Sequence, residues 1–179
     1  MSLRYALLGL LSEQPMSGYD LTKRFEESLR NVWPAKHSQI YPELNRLNEK
    51  GLIEVVSEGP RGRKEYRATR EGREAVRRWL TETDPEWAVR SEPLLRSFFL
   101  WMVEPEEARR HLRRHRDHFQ ERVDTYKQRK RVWNPETPGD RARSAVMESG
   151  IMIGEANVAW AEWALEQYAD DGDDESGTA

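Results

Sequence analysis

Apolar residues in the first part of the chain recur at helical spacing, and this pattern predicts two helices before residue 30. Leucine and alanine fill one stripe of residues 3–11, and Gln14-Pro15 ends that segment. A second helix is predicted to begin at Ser17, because the serine hydroxyl can cap free N–H groups and Asp20 completes a pattern like a capping box. The predicted inner face of this helix consists of Leu21, Phe25 and Leu29.

The next segment predicts a third helix, a β-hairpin and a fourth helix. The third helix starts near Ser38, carries Pro42 in its first turn or so, and ends at Gly51 as the left-handed residue. Residues 52–58 and 64–69 then follow the spacing of strands, and a turn with two glycines and a proline joins them. The predicted inner residues are Ile40, Leu44 and Leu47 in the third helix and Ala75, Val76, Trp79 and Leu80 in the fourth. This order predicts a mainly α protein with an N-terminal winged helix-turn-helix domain and a two-stranded β wing.

Asp84-Pro85 marks the predicted end of the winged-helix domain, residues 1–84, and the pattern of residues 85–169 predicts helices. Residues 91–102 predict a packed helix, and residues 105–131 predict a long charged helix with a thin apolar line. The last predicted helix, residues 140–168, is apolar on nearly every side from 145 to 165, so it must be buried on several faces. A domain this small cannot cover all of these faces alone, so we expect a partner chain to cover the rest. This predicts a C-terminal all-α dimerisation domain. Residues 170–179, which are acidic and small, predict a disordered tail.

Composition narrows the classes of function. The 179 residues include 29 Lys and Arg and 32 Asp and Glu, a net charge of -3, so a DNA-binding surface would require local segregation of charge. The chain has no cysteine, which excludes disulfides and thiolate metal sites. The apolar run at the N-terminus is too short for a membrane span and lacks a cleavage-site pattern. We expect a cytoplasmic protein that does not enter a membrane.

Polar residues on the outer face of the third helix are candidates for reading DNA. Glutamine and asparagine pair with adenine and arginine with guanine or phosphate, while the hydroxyl of Tyr41 can reach a phosphate. Residues 61–70 hold five cations against one acid, Glu65, which fits a wing lying along phosphates. The predicted DNA-binding residues are Ser38, Gln39, Tyr41, Pro42, Asn45, Arg46, Arg61, Arg63 and Lys64. A solvated helix face and a charged surface turn are the alternative interpretations.

Four segments resemble the PadR family of transcriptional regulators. Residues 17–21 (SGYDL) are similar to the second-helix signature, and residues 40–47 (IYPELNRL) with 51–53 (GLI) to the recognition helix and its exit. Residues 64–72 (KEYRATREG) resemble the second wing strand, with Ala68 where a larger apolar residue is common, and residues 93–99 (PLLRSFF) resemble the start of the C-terminal domain. The resemblance implies a homodimer joined mainly by C-terminal helices, repression by occupying an operator, and in some members relief by a small molecule.

Aromatic and histidine residues suggest further sites. Trp101, Met152, Trp160 and Trp163 are predicted to surround a planar aromatic effector if one exists, although core or dimer packing is the favoured interpretation. Gly150-x-x-x-Gly154 is a weak indication of closely approaching helices. His111, His115 and His118 share one side of a helix, but neighbouring arginines would repel a metal, and a solvated or interface face is expected.

No catalytic set, cofactor motif or metal site is identified, so an enzyme is not expected. The predicted function is a homodimeric, sequence-specific repressor that binds double-stranded DNA at a pseudo-palindromic operator. The alternative is a winged-helix protein-interaction module without an operator.

Overall fold

A computed structural model describes residues 2–29, 32–59, 62–88 and 90–168. The predicted tail, residues 170–179, and Arg61 of the predicted wing lie outside these ranges. Contacts divide the chain into two units, Met1–Trp87 and Ala88–Ala179. The first contains α1 (Ser2–Glu13), β1 (Met16–Ser17), α2 (Gly18–Ser28), α3 (His37–Glu49), β2 (Ile53–Glu58), β3 (Lys64–Ala68) and α4 (Arg70–Glu82). The second contains α5 (Glu92–Ser97), a 3-10 turn (Leu100–Met102), α6 (Pro105–Arg131) and α7 (Pro138–Gln167).

The core of the first unit lies between α1, α2 and α3, as the helical spacing predicted. Ile40, Leu44 and Leu47 of α3 are buried together with Leu21 and Phe25 of α2. The Ser17 hydroxyl accepts from the Asp20 backbone N–H at 3.2 Å, which confirms the predicted cap of α2. Gly51, with φ of 66°, follows the C-cap of α3, and the Leu52 N–H donates to the Leu47 carbonyl as in a Schellman motif.

The wing has three strands at its base, and the prediction of a two-stranded wing was incomplete. The sheet order is β1-β3-β2, and β1 pairs antiparallel with β3 through Met16 opposite Tyr66 and Ser17 opposite Glu65. Strands β2 and β3 form the predicted hairpin, with an irregular register between Val55 and Ser57. A two-residue strand is too short to show a period-2 pattern, so β1 could not be recognised from the sequence.

Helix α4 packs on α1 through fewer side chains than predicted. Trp79 stacks on Tyr5 with ring centroids 4.9 Å apart, and Ala75 and Val76 are half-buried. Leu80 is 68% exposed, so its prediction as an inner residue was wrong. The closest approach is made by Gly72, the one residue of α4 that is fully buried within the described ranges. Its missing side chain lets α4 start directly against the Leu52 carbonyl.

The predicted packed helix at residues 91–102 is instead the six-residue α5 followed by the 3-10 turn. Helix α5 contains no buried residue, and Leu95, Phe98, Trp101 and Met102 are exposed. The prediction relied on apolar content alone, which does not distinguish a packed helix from an exposed apolar surface. Leu100 is the buried residue of this segment and packs with Ala108, Leu112 and Ala164.

The long helices α6 and α7 form an antiparallel pair, and glycines set how closely they approach. A Cβ added to Gly154 would lie 2.5 Å from the Val123 side chain, and one added to Gly150 would lie 2.7 Å from the Tyr126 ring. The Gly150-x-x-x-Gly154 signal, weak in the sequence, therefore marks a real close approach. No helix in the described part of the chain is long and apolar enough to cross a membrane.

Only one side of α7 is buried in the chain, whereas the sequence predicted burial on several faces. Ile151, Gly154, Ala161 and Ala164 face α6 and are buried. The large apolar residues on the other side are exposed: Val146, Met152, Ile153 and Trp163. The described residues therefore leave an apolar surface of α7 uncovered.

His115 lies inside the α6–α7 pair, so the expected solvated or interface face was wrong for this histidine. Its side chain is buried, and its ring meets Trp160 edge-on at 4.9 Å. Asn157 donates its amide group to the Ile153 carbonyl, so its Oδ1 is the acceptor for His115 Nε2 at 3.1 Å. Burial lowers the pKa of His115. The described residues contain no group of three side chains placed to hold a metal.

We expect acid to destabilise the α6–α7 pair through His115. The pKa of this histidine is lowered in the folded chain, so below its unfolded value of about 6.5 the unfolded state binds more protons and the free energy of unfolding falls. Thermal melts of the wild type should show a lower Tm at pH 5.5 than at pH 7.5. His115→Gln retains an N–H for Asn157 and should lose less Tm over the same interval, while His118→Gln on the exposed side should behave as the wild type. Equal acid sensitivity in all three proteins would contradict this assignment.

Candidate nucleic-acid interface

Helix α3 presents an exposed polar face above a buried apolar one. Ser38, Gln39, Tyr41, Pro42, Asn45 and Arg46 are all exposed. The buried Ile40, Leu44 and Leu47 hold the helix on the core, so these side chains project from a rigid support. The structure thus brings together all the predicted DNA-reading residues of this helix on one surface.

Local geometry changes two details of that face. The helix starts at His37, so Pro42 is its sixth residue and lies in the second turn rather than the first. Lacking an N–H, Pro42 cannot donate to the Ser38 carbonyl, which is left for another donor. Gln39 Oε1 accepts from the Lys36 backbone N–H at 2.9 Å as part of a capping box, so a bidentate contact to adenine would first have to break this bond.

Tyr41 is held by a glycine. A Cβ added to Gly18 would lie 2.8 Å from Tyr41 Cε1, so the tyrosine ring lies directly against the start of α2. The side chain remains 47% exposed. Only a glycine permits the ring to pack this closely, and the sequence motif contained no indication of this contact.

Arg46 is positioned by the carboxylate of Glu43, which also lies close to the side chain of Arg4. Glu43 Oε2 accepts from Arg46 Nη1 at 3.3 Å, and Glu43 Oε1 lies 3.6 Å from Nε of Arg4 on α1. The side chain of Glu43 is only 13% exposed. Its charge therefore acts in a partly dry setting, where it favours the orientation of Arg46 more than a surface acid would.

Three of the described cations of the wing have acidic partners that lie outside residues 61–70. Arg63 Nη2 lies 2.6 Å from Asp20 Oδ2, Arg67 Nη2 lies 2.8 Å from Glu54 Oε1, and Lys64 Nζ lies 3.6 Å from Glu58 Oε1. Counting charges along residues 61–70 finds only Glu65, because these partners belong to α2 and β2. The net positive charge of the wing is consequently smaller than the sequence indicated.

Among these acids, Asp20 accepts hydrogen bonds from two different side chains, Ser17 and Arg63. Hydrogen bonding from the Ser17 hydroxyl, together with the neighbouring Arg63 guanidinium, lowers the pKa of Asp20. The carboxylate therefore stays ionised at neutral pH and retains both contacts.

The predicted effector residues do not form an enclosed site in the single chain. Trp101 is 72% exposed in the 3-10 turn, Met152 and Trp163 are exposed on α7, and Trp160 is half-buried against the core. Two surface cavities found within the described ranges are lined by other residues. One lies between the end of α6 and the start of α7, and the other beside α2. Binding of an effector by these four residues stays a prediction.

The sequence of this chain is similar to those of known transcriptional regulators. The sequence profile described as "Transcriptional regulator PadR-like family" matches residues 7–78, and the one described as "Virulence activator alpha C-term" matches residues 89–169. The chain is 39% identical over 110 residues to the Bacillus subtilis protein described as "Negative transcriptional regulator PadR", which is 59% of this chain and 60% of the relative. A Mycobacterium tuberculosis relative is 35% identical over 85 residues, 46% of this chain and 45% of its own length. The chain thus matches less than two thirds of the length of either curated relative.

Solved structures match over a greater length. Bacillus subtilis PadR in complex with operator DNA is similar with a TM-score of 0.82 and 29% identity, over 94% of this chain and 99% of that one. The complex of the same protein with p-coumaric acid gives a TM-score of 0.80 at 29% identity, with the same coverage. The Vibrio cholerae virulence activator AphA gives 0.76 at 27% identity, over 93% of this chain and 97% of that one.

Proposed function

This chain belongs to the PadR-like family of transcriptional regulators, and we propose that it is a homodimeric repressor that binds an operator sequence specifically. The observation that carries the proposal is the exposed polar face of α3 on its buried apolar support, next to a basic wing. The similarity to a PadR protein solved with operator DNA supports the same use of this surface.

In the proposed complex, α3 enters the major groove and the wing follows the backbone beside it. Tyr41, Asn45 and Arg46 read base edges, with Ser38, Gln39 and Pro42 at the entry of the helix. Arg61, Arg63 and Lys64 contact phosphates and contribute affinity without sequence information. A two-fold dimer then favours a pseudo-palindromic site with half-sites about 34 Å apart, one turn of the duplex.

The uncovered surface of α7 supports the homodimer. With 3.6 residues per turn, a run of exposed small and apolar residues occupies one side of α7 without a charge: Ala142, Ala145, Val146, Ser149, Met152, Ile153, Ala156, Ala159 and Trp163. The acids of this helix, such as Glu148 and Glu155, lie outside that side and pair with Lys130 and Lys127 of α6. An uncharged strip of this length fits a second copy of the same helix.

We further propose that a small planar aromatic effector relieves repression. The related Bacillus subtilis protein has been solved with p-coumaric acid. Trp101, Met152, Trp160 and Trp163 supply the flat apolar surfaces that such a ligand needs, and a second chain would enclose them.

The primary test is fluorescence anisotropy of the purified protein with duplexes from its own upstream region and with a scrambled control, at two salt concentrations. We expect tight binding to the upstream duplex and weak, steeply salt-dependent binding to the control. Equal, weak binding to the upstream and the scrambled duplex would overturn the proposed operator in the upstream region. It would favour the alternative, a winged-helix protein-interaction module.

Substitutions should separate the base-reading side chains from the phosphate contacts. Asn45→Ala and Tyr41→Ala are each expected to reduce the preference for the operator about 5- to 150-fold, since one base contact contributes about 1–3 kcal/mol of discrimination. Lys64→Ala should weaken all duplexes equally and lower the salt slope by about one. Arg114→Ala, on the exposed side of α6, is the matched control and should change neither quantity. Equal loss on operator and scrambled DNA for Asn45→Ala would show that α3 is not the reading surface.

A further inference from the structure

Residues 17–20, here called the anchor segment, belong to the sheet and to the helix-turn-helix at the same time. Ser17 pairs with Glu65 of β3 in the sheet, and its hydroxyl caps α2 one residue later. Ser17 and Gly18 are buried. The base of the wing and the start of α2 are therefore joined through one short stretch of backbone.

The anchor segment also contacts one side chain on each element that is proposed to touch DNA. Gly18 supports the ring of Tyr41 on α3, with no space for a Cβ between them. Asp20 accepts a hydrogen bond from Arg63, which is 43 residues away and directly precedes β3. The same Asp20 Oδ2 accepts from the Ser17 hydroxyl at 2.7 Å, so the carboxylate is fixed from the side of the helix before it meets the guanidinium.

We propose that Asp20 is a positioning residue that aims Arg63 and, with Gly18, fixes the wing relative to α3. This inference rests on the proposed DNA binding and names a residue outside the reading set. Arg63 has five N–H groups and gives Nη2 to Asp20, and its side chain is 57% exposed, so other N–H groups remain for a phosphate. Fixing a long, rotamer-rich side chain before binding reduces the entropy lost when the complex forms.

Charge alone predicts that Asp20 weakens DNA binding, whereas a positioning role predicts that it strengthens DNA binding. A carboxylate beside a phosphate-binding cation repels DNA, so an acid without a positioning role should weaken binding, and its removal should strengthen binding. An exposed ion pair also contributes little to the stability of the fold. The sign of the change in DNA affinity therefore distinguishes a positioning residue from a surface acid.

The experiment measures operator affinity and salt slope for Asp20→Asn, Arg63→Gln and the double variant, with Tm for each. An asparagine keeps an oxygen that can accept from Ser17, so the cap of α2 is retained, and Arg63→Gln does not touch the cap at all. We expect each single variant to bind the operator about 5- to 10-fold more weakly and with a salt slope lower by about one. The double variant should be no weaker than the weaker single one, because both changes remove the same aimed contact.

Glu54→Gln is the matched control. It removes the same charge from an exposed ion pair of the wing, that with Arg67, which does not involve the anchor segment. It should bind as tightly as the wild type or slightly more tightly. Asp20→Asn binding with unchanged or higher affinity, or losses that multiply in the double variant, would overturn the inference.

Failure of the proposed DNA binding and failure of the positioning role of Asp20 give different results. If the wild type does not prefer any upstream duplex over the scrambled one, the proposed function fails and the inference with it. If the wild type shows the preference and Asp20→Asn keeps the full affinity, only the positioning role is lost.

Discussion

Gly72→Ala is expected to lower the free energy of unfolding of the N-terminal unit by about 3 kcal/mol, an unusually large effect for one added methyl group. A Cβ at this position would overlap the Leu52 carbonyl oxygen and also press on Leu8. The oxygen belongs to the backbone, so no rotamer change can relieve the overlap. Helix α4 would have to move away from the junction between α3 and β2.

That movement would break contacts that join α4 to the sheet and to α3. The Leu52 carbonyl accepts from the Thr69 N–H at 3.0 Å, and the Thr69 hydroxyl donates to the Gly51 carbonyl at 2.8 Å. Thr69 also caps α4 by accepting from the Gly72 N–H at 3.1 Å. A displaced α4 thus loses its cap and two anchoring bonds together.

Gly9→Ala is the control, and its effect should have the opposite sign. Gly9 lies within α1, and a Cβ there would meet nothing within 4 Å. Alanine in a helix interior is more favourable than glycine by about 0.5–1 kcal/mol, so Gly9→Ala should stabilise the unit. Urea denaturation of both variants measures the two changes. A destabilisation below about 1 kcal/mol in Gly72→Ala would show that α4 can shift freely at its start.

The features of the fold that depend on neighbouring residues could be predicted from the sequence. The burial of Ile40, Leu44 and Leu47 follows from their spacing, the start of α2 from the Ser17 cap, and the end of α3 from Gly51, since each depends on residues within one or two turns. The exposed polar face of α3 followed from the same spacing.

The other features of the fold and the site depend on tertiary contacts, which the spacing of residues along one sequence does not show. The pair Asp20–Arg63 joins positions 43 residues apart, and the close approach of Gly18 to Tyr41 depends on how α3 packs on α2. His115 resembles a surface residue among arginines, yet its spacing from Leu112 places it on the buried side of α6. The prediction for Leu80 was wrong for the converse reason, because its spacing places it with the inner residues of α4 but its side chain is 68% exposed.

The uncovered side of α7 leads to the second large effect: Met152→Glu is expected to convert the proposed homodimer to a monomer at micromolar concentration. Met152 lies in the middle of the uncharged strip and is 63% exposed in the single chain, so the variant can fold without burying the new carboxylate. In a dimer the carboxylate would be taken out of water opposite a second copy of itself. Desolvation of a carboxylate without a partner costs several kcal/mol, and in a symmetric dimer both copies bear this cost.

Loss of the dimer should also reduce operator affinity about 100-fold or more, because two linked half-site contacts become independent. Light scattering and anisotropy on the same samples measure both effects. Gln128→Glu adds the same charge to the exposed side of α6 and serves as the control, which should remain dimeric and bind the operator as the wild type does. A Met152→Glu protein that stays dimeric would place the interface on another surface, whereas a monomer with undiminished operator affinity would show that one winged-helix unit suffices for binding. The expected joint loss follows from the proposal that the reading surface on α3 is fixed within each chain and gains its affinity from being present twice.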